Sequence, residues 1–370
     1  MTWLTWHQFR AQAATAVAAL AAFAALLAVT RPHMVSLYAA SGITGCHGGT
    51  CGGLAGTFLN QLASATPFNG RNSFDPLPAG TDLYPIVYQL GVLLILAAPA
   101  IIGIFWGAPL IARELETGTA ALAWNQSITR TRWLTVKLTL AGVAAMAVTE
   151  ALSLMQAWWA APIGRAVGLG GSASVFSGSR FSPLVFATHG ITPLGYAAFG
   201  FVLGVTAGVL VRRAVPAMAV TLAIFAAVQF AMPLWVRPHL IPPSQMTATT
   251  QATQATLNGF RGGTALTASI VPGQPGAWII SSGGVNAAGQ PVSMLPAPCV
   301  PRAATPAPRT ASVFESGLQH CMDSLGIREV VTYQPASRYW PIQGIETAIF
   351  LALALAMAGY CFWRLGRRTS

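Results

Sequence analysis

The stretch ARELETGTAALAWNQSITRTRWLTVK, residues 112–137, holds two glutamates, three arginines and the single lysine of a 370-residue chain. Side chains of this kind at this density suit a reversible polar contact with another protein, because charge sets specificity at such interfaces. Glu114, Glu116, Thr117, Gly118 and Thr119 form its front, and Trp124, Arg130 and Arg132 mark its back. The front acids favour the N-terminal dipole of a helical piece over AALAWNQ. Arg130, Arg132 and Lys137 suit lipid phosphates. Two further acids, Glu150 and Glu346, fall inside strongly apolar runs, where an ionisable group is costly and marks function by default. Glu150 reads equally as lining a path through the membrane or as bonding a neighbouring helix. Glu346 opens its run, so it reads as a pathway residue, an interfacial residue or the partner of an arginine. Cys46, Cys51, Cys299 and Cys321 fall outside the apolar runs in two pairs. Among the pairings these four allow, the local disulfides Cys46–Cys51 and Cys299–Cys321 are expected, in an oxidising compartment. A metal alternative stays open, because CHGGTC and His320–Cys321 set histidines among the thiols. Cys361, inside the last apolar run, reads as an inert small hydrophobe.

Several chemistries are missing. The chain has no G-x-x-x-x-G-K-[ST], no H-E-x-x-H and no G-x-S-x-G. The glycine-rich GLGGS at 168–172 does not follow a strand. The expectation is a chain with no catalytic site, no metal and no cofactor of its own.

The elements that position these residues are set by composition. The chain is 54% hydrophobic and 8% charged, against about a quarter charged in soluble domains. Six stretches reach the roughly 20 apolar residues needed to cross a bilayer. They run from Ala11 to Val29, Pro85 to Ile111, Leu134 to Trp158, Ile191 to Val211, Val215 to Trp235 and Ile342 to Trp363. Pro99, Pro109, Pro193 and Pro216 inside them read as kinks, which spans tolerate. The net charge of +11 is spread beside apolar runs, without the basic stripe and aromatics of a nucleic-acid surface, so nucleic acid is excluded as a partner. With both termini inside, basic residues are about four times as dense in the inner segments as in the outer ones, which predicts cytoplasmic termini. No cleavable leader is expected, since residues 1–10 are polar and aromatic and the run behind them is long enough to span.

The fold class expected is therefore an all-α polytopic membrane protein with six transmembrane helices and both termini cytoplasmic. Residues 1–10, with Trp3, Trp6, Phe9 and Arg10, form an interfacial elbow helix. Spans one to five cover 11–236, and the sixth span and cytoplasmic tail cover 342–370. A small extracytoplasmic α+β domain covers 237–341, too long for a bare connection. Within it TATTQATQATLNG reads as irregular, AWIISSGGVNAAGQPV as strand, turn and strand, SVFESGLQHCMDSL as helical and VVTYQP as a strand.

This layout, with ARELETGTAALAWNQSITRTRWLTVKL, the elbow TWLTWHQFRAQ and YQPASRYWPIQGIETAIF over Tyr333–Phe350, resembles the permeases of ATP-binding-cassette exporters of the ABC type 2 family. The last of these sequences resembles the branch from GC-rich Gram-positive bacteria. The resemblance implies a permease in the bacterial plasma membrane, paired with itself or a paralogue, and served by a separate ABC ATP-binding subunit that holds ATP and Mg. By position, Glu114, Glu116, Thr117, Gly118 and Thr119 would form the front of its coupling segment. Trp124 to Arg132 would dock in a groove of the ATPase. Two other classes remain: a sensor or scaffold with a ligand-binding outer loop, and an ion-coupled secondary transporter, for which Glu150 is the one fair relay candidate.

Overall fold

Hydrocarbon offers a backbone no water to bond, so a spanning segment satisfies its own N–H and C=O groups by becoming helical. Among its described residues, the computed structural model has six helices long and apolar enough to do this: Arg10–Ala40, Leu83–Glu116, Thr131–Gly168, Thr192–Val211, Ala214–His239 and Ala336–Gly366. It describes residues 2–46, 51–64, 83–117, 129–171, 176, 180–249, 256–260, 263–267, 271, 276–292, 299, 317 and 320–366. Each helix coincides with one of the six apolar runs, and most outrun them. The first is continuous over Thr2–Ala40, so residues 2–10 and the first span share one helix, with Pro32 inside it. The third runs through Pro162 to Gly168.

The chain divides into two units, residues 1–178, 182–237 and 341–370 in one, and 179–181 with 238–340 in the other. In the first, Thr192–Val211 is the central span: 78% of its apolar window is buried, against 17–50% for the others. Its glycines allow this enclosure. A Cβ at Gly200 would sit 2.6 Å from the Pro99 carbonyl, and one at Gly208 2.6 Å from the Ala108 carbonyl. Small residues at this spacing let spans approach backbone to backbone.

A helix that the sequence reading assigned to a loop, Cys51–Ser64, buries Ala55, Phe58, Leu59 and Leu62 along one face. These join Phe23, Leu27, Met34, Tyr84, Val87, Trp159 and Ile163 in one core. A second core gathers Ile102, Trp106, Ile111, Trp133, Leu134, Phe201, Val205 and Cys361. Cys361 is buried there beside the Thr206 hydroxyl. The expected local disulfides are formed: Cys46 and Cys51 have Cα atoms 5.5 Å apart, and Cys299 and Cys321 5.7 Å.

The second unit carries a four-stranded antiparallel sheet. Its strands are β1 (Ser244–Thr249), β4 (Trp278–Val285), β5 (Pro291–Val292) and β6 (Arg328–Gln334), in the order β1-β6-β4-β5. Strands β2 (Thr256–Phe260) and β3 (Gly263–Thr267) form a separate hairpin. The strand, turn and strand expected from AWIISSGGVNAAGQPV is β4 to β5, turned by Asn286, whose Oδ1 accepts from the N–H groups of Ala288 at 3.0 Å and Gln290 at 2.9 Å. The stretch expected to be irregular begins inside β1 and ends inside β2; alternation in SQMTAT gives β1 one face that is less exposed than the other. Of the expected helix, residue 317 and residues 320–325 lie among the described residues, and 317 and 320–324 are helical. Within this unit, Phe181 stacks on Trp278 with ring centroids 5.8 Å apart. Gln334 and Arg338 donate to the carbonyls of Ile241 and Pro242 at 2.6 and 2.7 Å.

Candidate functional site

The polar connection is reached through a local irregularity. Pro109 has no N–H to give the Phe105 carbonyl, and Gln12 Nε2, from the first helix, donates to that carbonyl instead at 3.1 Å. Just ahead of the proline, Gly103–Gly107 widens into a π turn, with the Ala108 N–H reaching back to Gly103. Such turns recur at functional positions. The helix Ala108–Glu116 follows and delivers the two acids.

Both acids are engaged within the chain. Glu114 Oε1 accepts from Lys137 Nζ, joining the end of the second span to the start of the third. Lys137 is 4% exposed and Glu114 18%, and the ammonium lies 4.6 Å from the Trp133 ring centroid. Glu116 Oε2 accepts from the N–H of Ala214 at 3.2 Å. That N–H is one of the unpaired donors at the start of the fifth-span helix, where a carboxylate also meets the positive end of the helix dipole. Thr117 closes the helix, its N–H and hydroxyl donating to the Arg113 carbonyl at 2.9 and 2.8 Å. Thr129 opens the next helix by accepting from the Arg132 N–H, and Arg132 itself is exposed. Gly118, Thr119 and Trp124 lie outside the described residues, and Arg130 is described in its backbone alone.

A second cluster surrounds Glu346. Another π turn, Met232–Val236, contains Pro233 and ends at Arg237. Arg237 Nε donates to Glu346 Oε2 at 2.8 Å and its Nη2 to Oε1 at 3.0 Å. This is the bidentate geometry that makes arginine–carboxylate pairs strong. The Tyr196 hydroxyl also donates to Glu346 Oε1, and the guanidinium lies 4.1 Å from the Phe186 ring centroid. Three residues before Glu346, Gln343 donates to the carbonyls of Phe186 and His189 and accepts from the Ile191 N–H. It staples a turn whose Gly190 has φ +73°, with no room for a Cβ beside the Gln343 amide. His189 Nδ1–H donates to the Val185 carbonyl at 3.0 Å. Burial pushes its imidazole below the ordinary histidine range, and that hydrogen bond opposes the shift. Arg237, Tyr196 and Gln343 were not singled out in the sequence, and no local signal pairs residues on different spans.

Glu150 is different. It sits half-buried on the third span; its Oε2 is buried without a hydrogen bond, and nothing among the described residues pairs with it. The geometry thus separates the two acids that the sequence grouped as pathway residues: Glu346 has a partner within the chain, and Glu150 has none among the described residues.

Residues 17–237 match a family model described as ABC-2 membrane transporter related. No curated protein and no solved structure matches the chain.

Proposed function

Because the chain belongs to the ABC-2 membrane transporter related family, whose members are membrane components of ABC transporters, we propose that it is the permease of an ATP-driven exporter. It works in the bacterial plasma membrane with both termini and residues 112–137 on the cytoplasmic side. A separate ATP-binding subunit holds ATP and Mg, and a second permease, identical or paralogous, completes the pathway.

One observation carries the coupling mechanism. The front of the polar connection is tied at two points, by Glu114 to Lys137 of the third span and by Glu116 to the first residue of the fifth-span helix. A displacement of the connection by the ATPase is therefore delivered to three spans at once rather than absorbed in a loop. The acids act as ties, and exposed residues at the back of the segment, Arg132 among them, meet the ATPase. Charge on a solvent-facing handle suits a contact that must form with specificity.

The test is co-purification of the tagged chain in mild detergent with ATPase activity assayed on the product. The wild type brings down a P-loop subunit, and Arg132→Glu weakens its capture. Glu114→Gln retains the subunit but loses the link between ATP hydrolysis and transport. A folded wild-type chain that captures no ATPase would falsify the exporter reading. The separate sheet-bearing unit, with its own disulfide, favours one alternative, a sensor or scaffold that captures a ligand through residues 238–340. Ligand binding by that unit in a chain without an ATPase partner would select it.

A further inference from the structure

Glu150 stands apart from the other acids of the spans. Glu114 is taken by Lys137, Glu116 by the N–H of Ala214, and Glu346 by Arg237 and Tyr196. Glu150 lies on the Thr131–Gly168 helix between Lys137 and Arg165, about 20 Å along the helix from each at the usual rise. Neither basic residue can reach it from there. The helical repeat places Val143, Leu154 and Trp158 on the same side, and these are 60%, 61% and 50% exposed. Among the described residues, the stripe is engaged at its Trp158 end, where the Arg31 guanidinium lies 4.1 Å from the ring centroid, and it is left open around the acid in its middle.

What covers the stripe must satisfy a carboxyl group deep in the bilayer. Lipid tails do not, and an ionised group facing them is strongly disfavoured. A second copy docked by two-fold symmetry on this face would bring two such acids together, like charge against like. A cation with an apolar body meets both features of the surface. Its charge is matched by Glu150, and its body by Val143, Leu154 and Trp158. We propose that this stripe is a substrate-contacting wall of the permease, and that Glu150 selects amphipathic organic cations. The proposal rests on the permease reading and gives it a substrate class.

The experiment uses the full-length purified chain in lipid nanodiscs, without an ATPase, and two probes of nearly equal shape and opposite charge, tetraphenylphosphonium and tetraphenylborate. The wild type binds the phosphonium saturably. Glu150→Gln, which keeps the side-chain shape, weakens that binding by roughly tenfold or more, Glu150→Asp restores part of it, and borate binding does not fall. A second measurement needs no variant. Dicyclohexylcarbodiimide labels Glu150 in the wild type, read by peptide mass, and the phosphonium but not the borate protects it. Equal phosphonium affinity in wild type and Glu150→Gln overturns the proposal, as does labelling that the phosphonium leaves unchanged. Spontaneous disulfide formation between copies of Glu150→Cys also overturns it, by showing that a second copy covers the stripe. Because the chain is tested alone, a negative result here leaves the exporter reading standing. Cation binding without ATPase capture would fail that reading instead.

Discussion

Arg237 meets Glu346 with two nitrogens, at 2.8 and 3.0 Å, whereas Lys137 meets Glu114 with one. The first pair is 1% and 0% exposed and has Tyr196 as a further donor. The second is 4% and 18% exposed, and its lysine is a point charge on a flexible stem. A planar guanidinium held through two nitrogens of one edge has one arrangement. A single ammonium contact, with its carboxylate already near water, has an alternative: the acid can turn outward and be solvated. The difference teaches what each pair is for. The arginine pair fixes the fifth and sixth spans to each other. The lysine pair joins the end of the second span to the start of the third, beside the segment proposed to move.

The largest effect should follow from breaking the arginine pair on one side. Glu346→Ala leaves a buried guanidinium uncompensated, which costs about 3–5 kcal/mol, and thermal unfolding in detergent would show it. Removing both charges with Arg237→Met and Glu346→Leu should recover much of that loss, since a buried pair is often no more stabilising than well-packed apolar residues. A double variant as unstable as the single one would mean that the pair does more than neutralise itself. Lys137→Met should cost less, about 1–3 kcal/mol, because Glu114 can reach water, yet it should uncouple ATP hydrolysis from transport more severely than its stability loss explains. If Lys137→Met destabilises as much as Glu346→Ala, the contrast between pin and tie is wrong. Glu116→Gln removes a charge from the start of the fifth-span helix and should cost about 0.3–1 kcal/mol, visible as faster hydrogen exchange near Ala214.

The two pairs also mark the border of what the sequence makes legible. The spans could be read because an apolar run of bilayer length has few alternatives to a helix. The turn between β4 and β5 was readable from Asn286 and Gly289, residues whose local chemistry makes turns. The helix Cys51–Ser64 was missed although Ala55, Phe58, Leu59 and Leu62 repeat at helical spacing, because its first turn is rich in glycine and it is shorter than a span. Glu114 and Glu116 were noticed for their charge, but density of charge says nothing about direction, and both bond within the chain. Glu346 could be flagged and not paired: Arg237 is 109 positions away, and only packing of the fifth span against the sixth brings them together.

The smallest prediction asks whether acid loosens one end of the comparison before the other. The unfolded chain takes up a proton at His189 near the ordinary histidine value of about 6.5, while burial holds the folded imidazole neutral to lower pH. Between those two values the unfolded state binds more protons, so this contribution to stability is full above about 6.5 and is lost as pH falls through the window. His189 sits next to the Gly190 turn that Gln343 staples, on the side of the arginine pair, and no such histidine adjoins Lys137 and Glu114 among the described residues. Hydrogen exchange at pH 7 and pH 5.5, corrected for intrinsic rates, should therefore show selective opening of peptides over 183–192 relative to 108–117. His189→Asn should abolish the difference. Equal loosening of both segments would remove pH as a way of telling the pin from the tie.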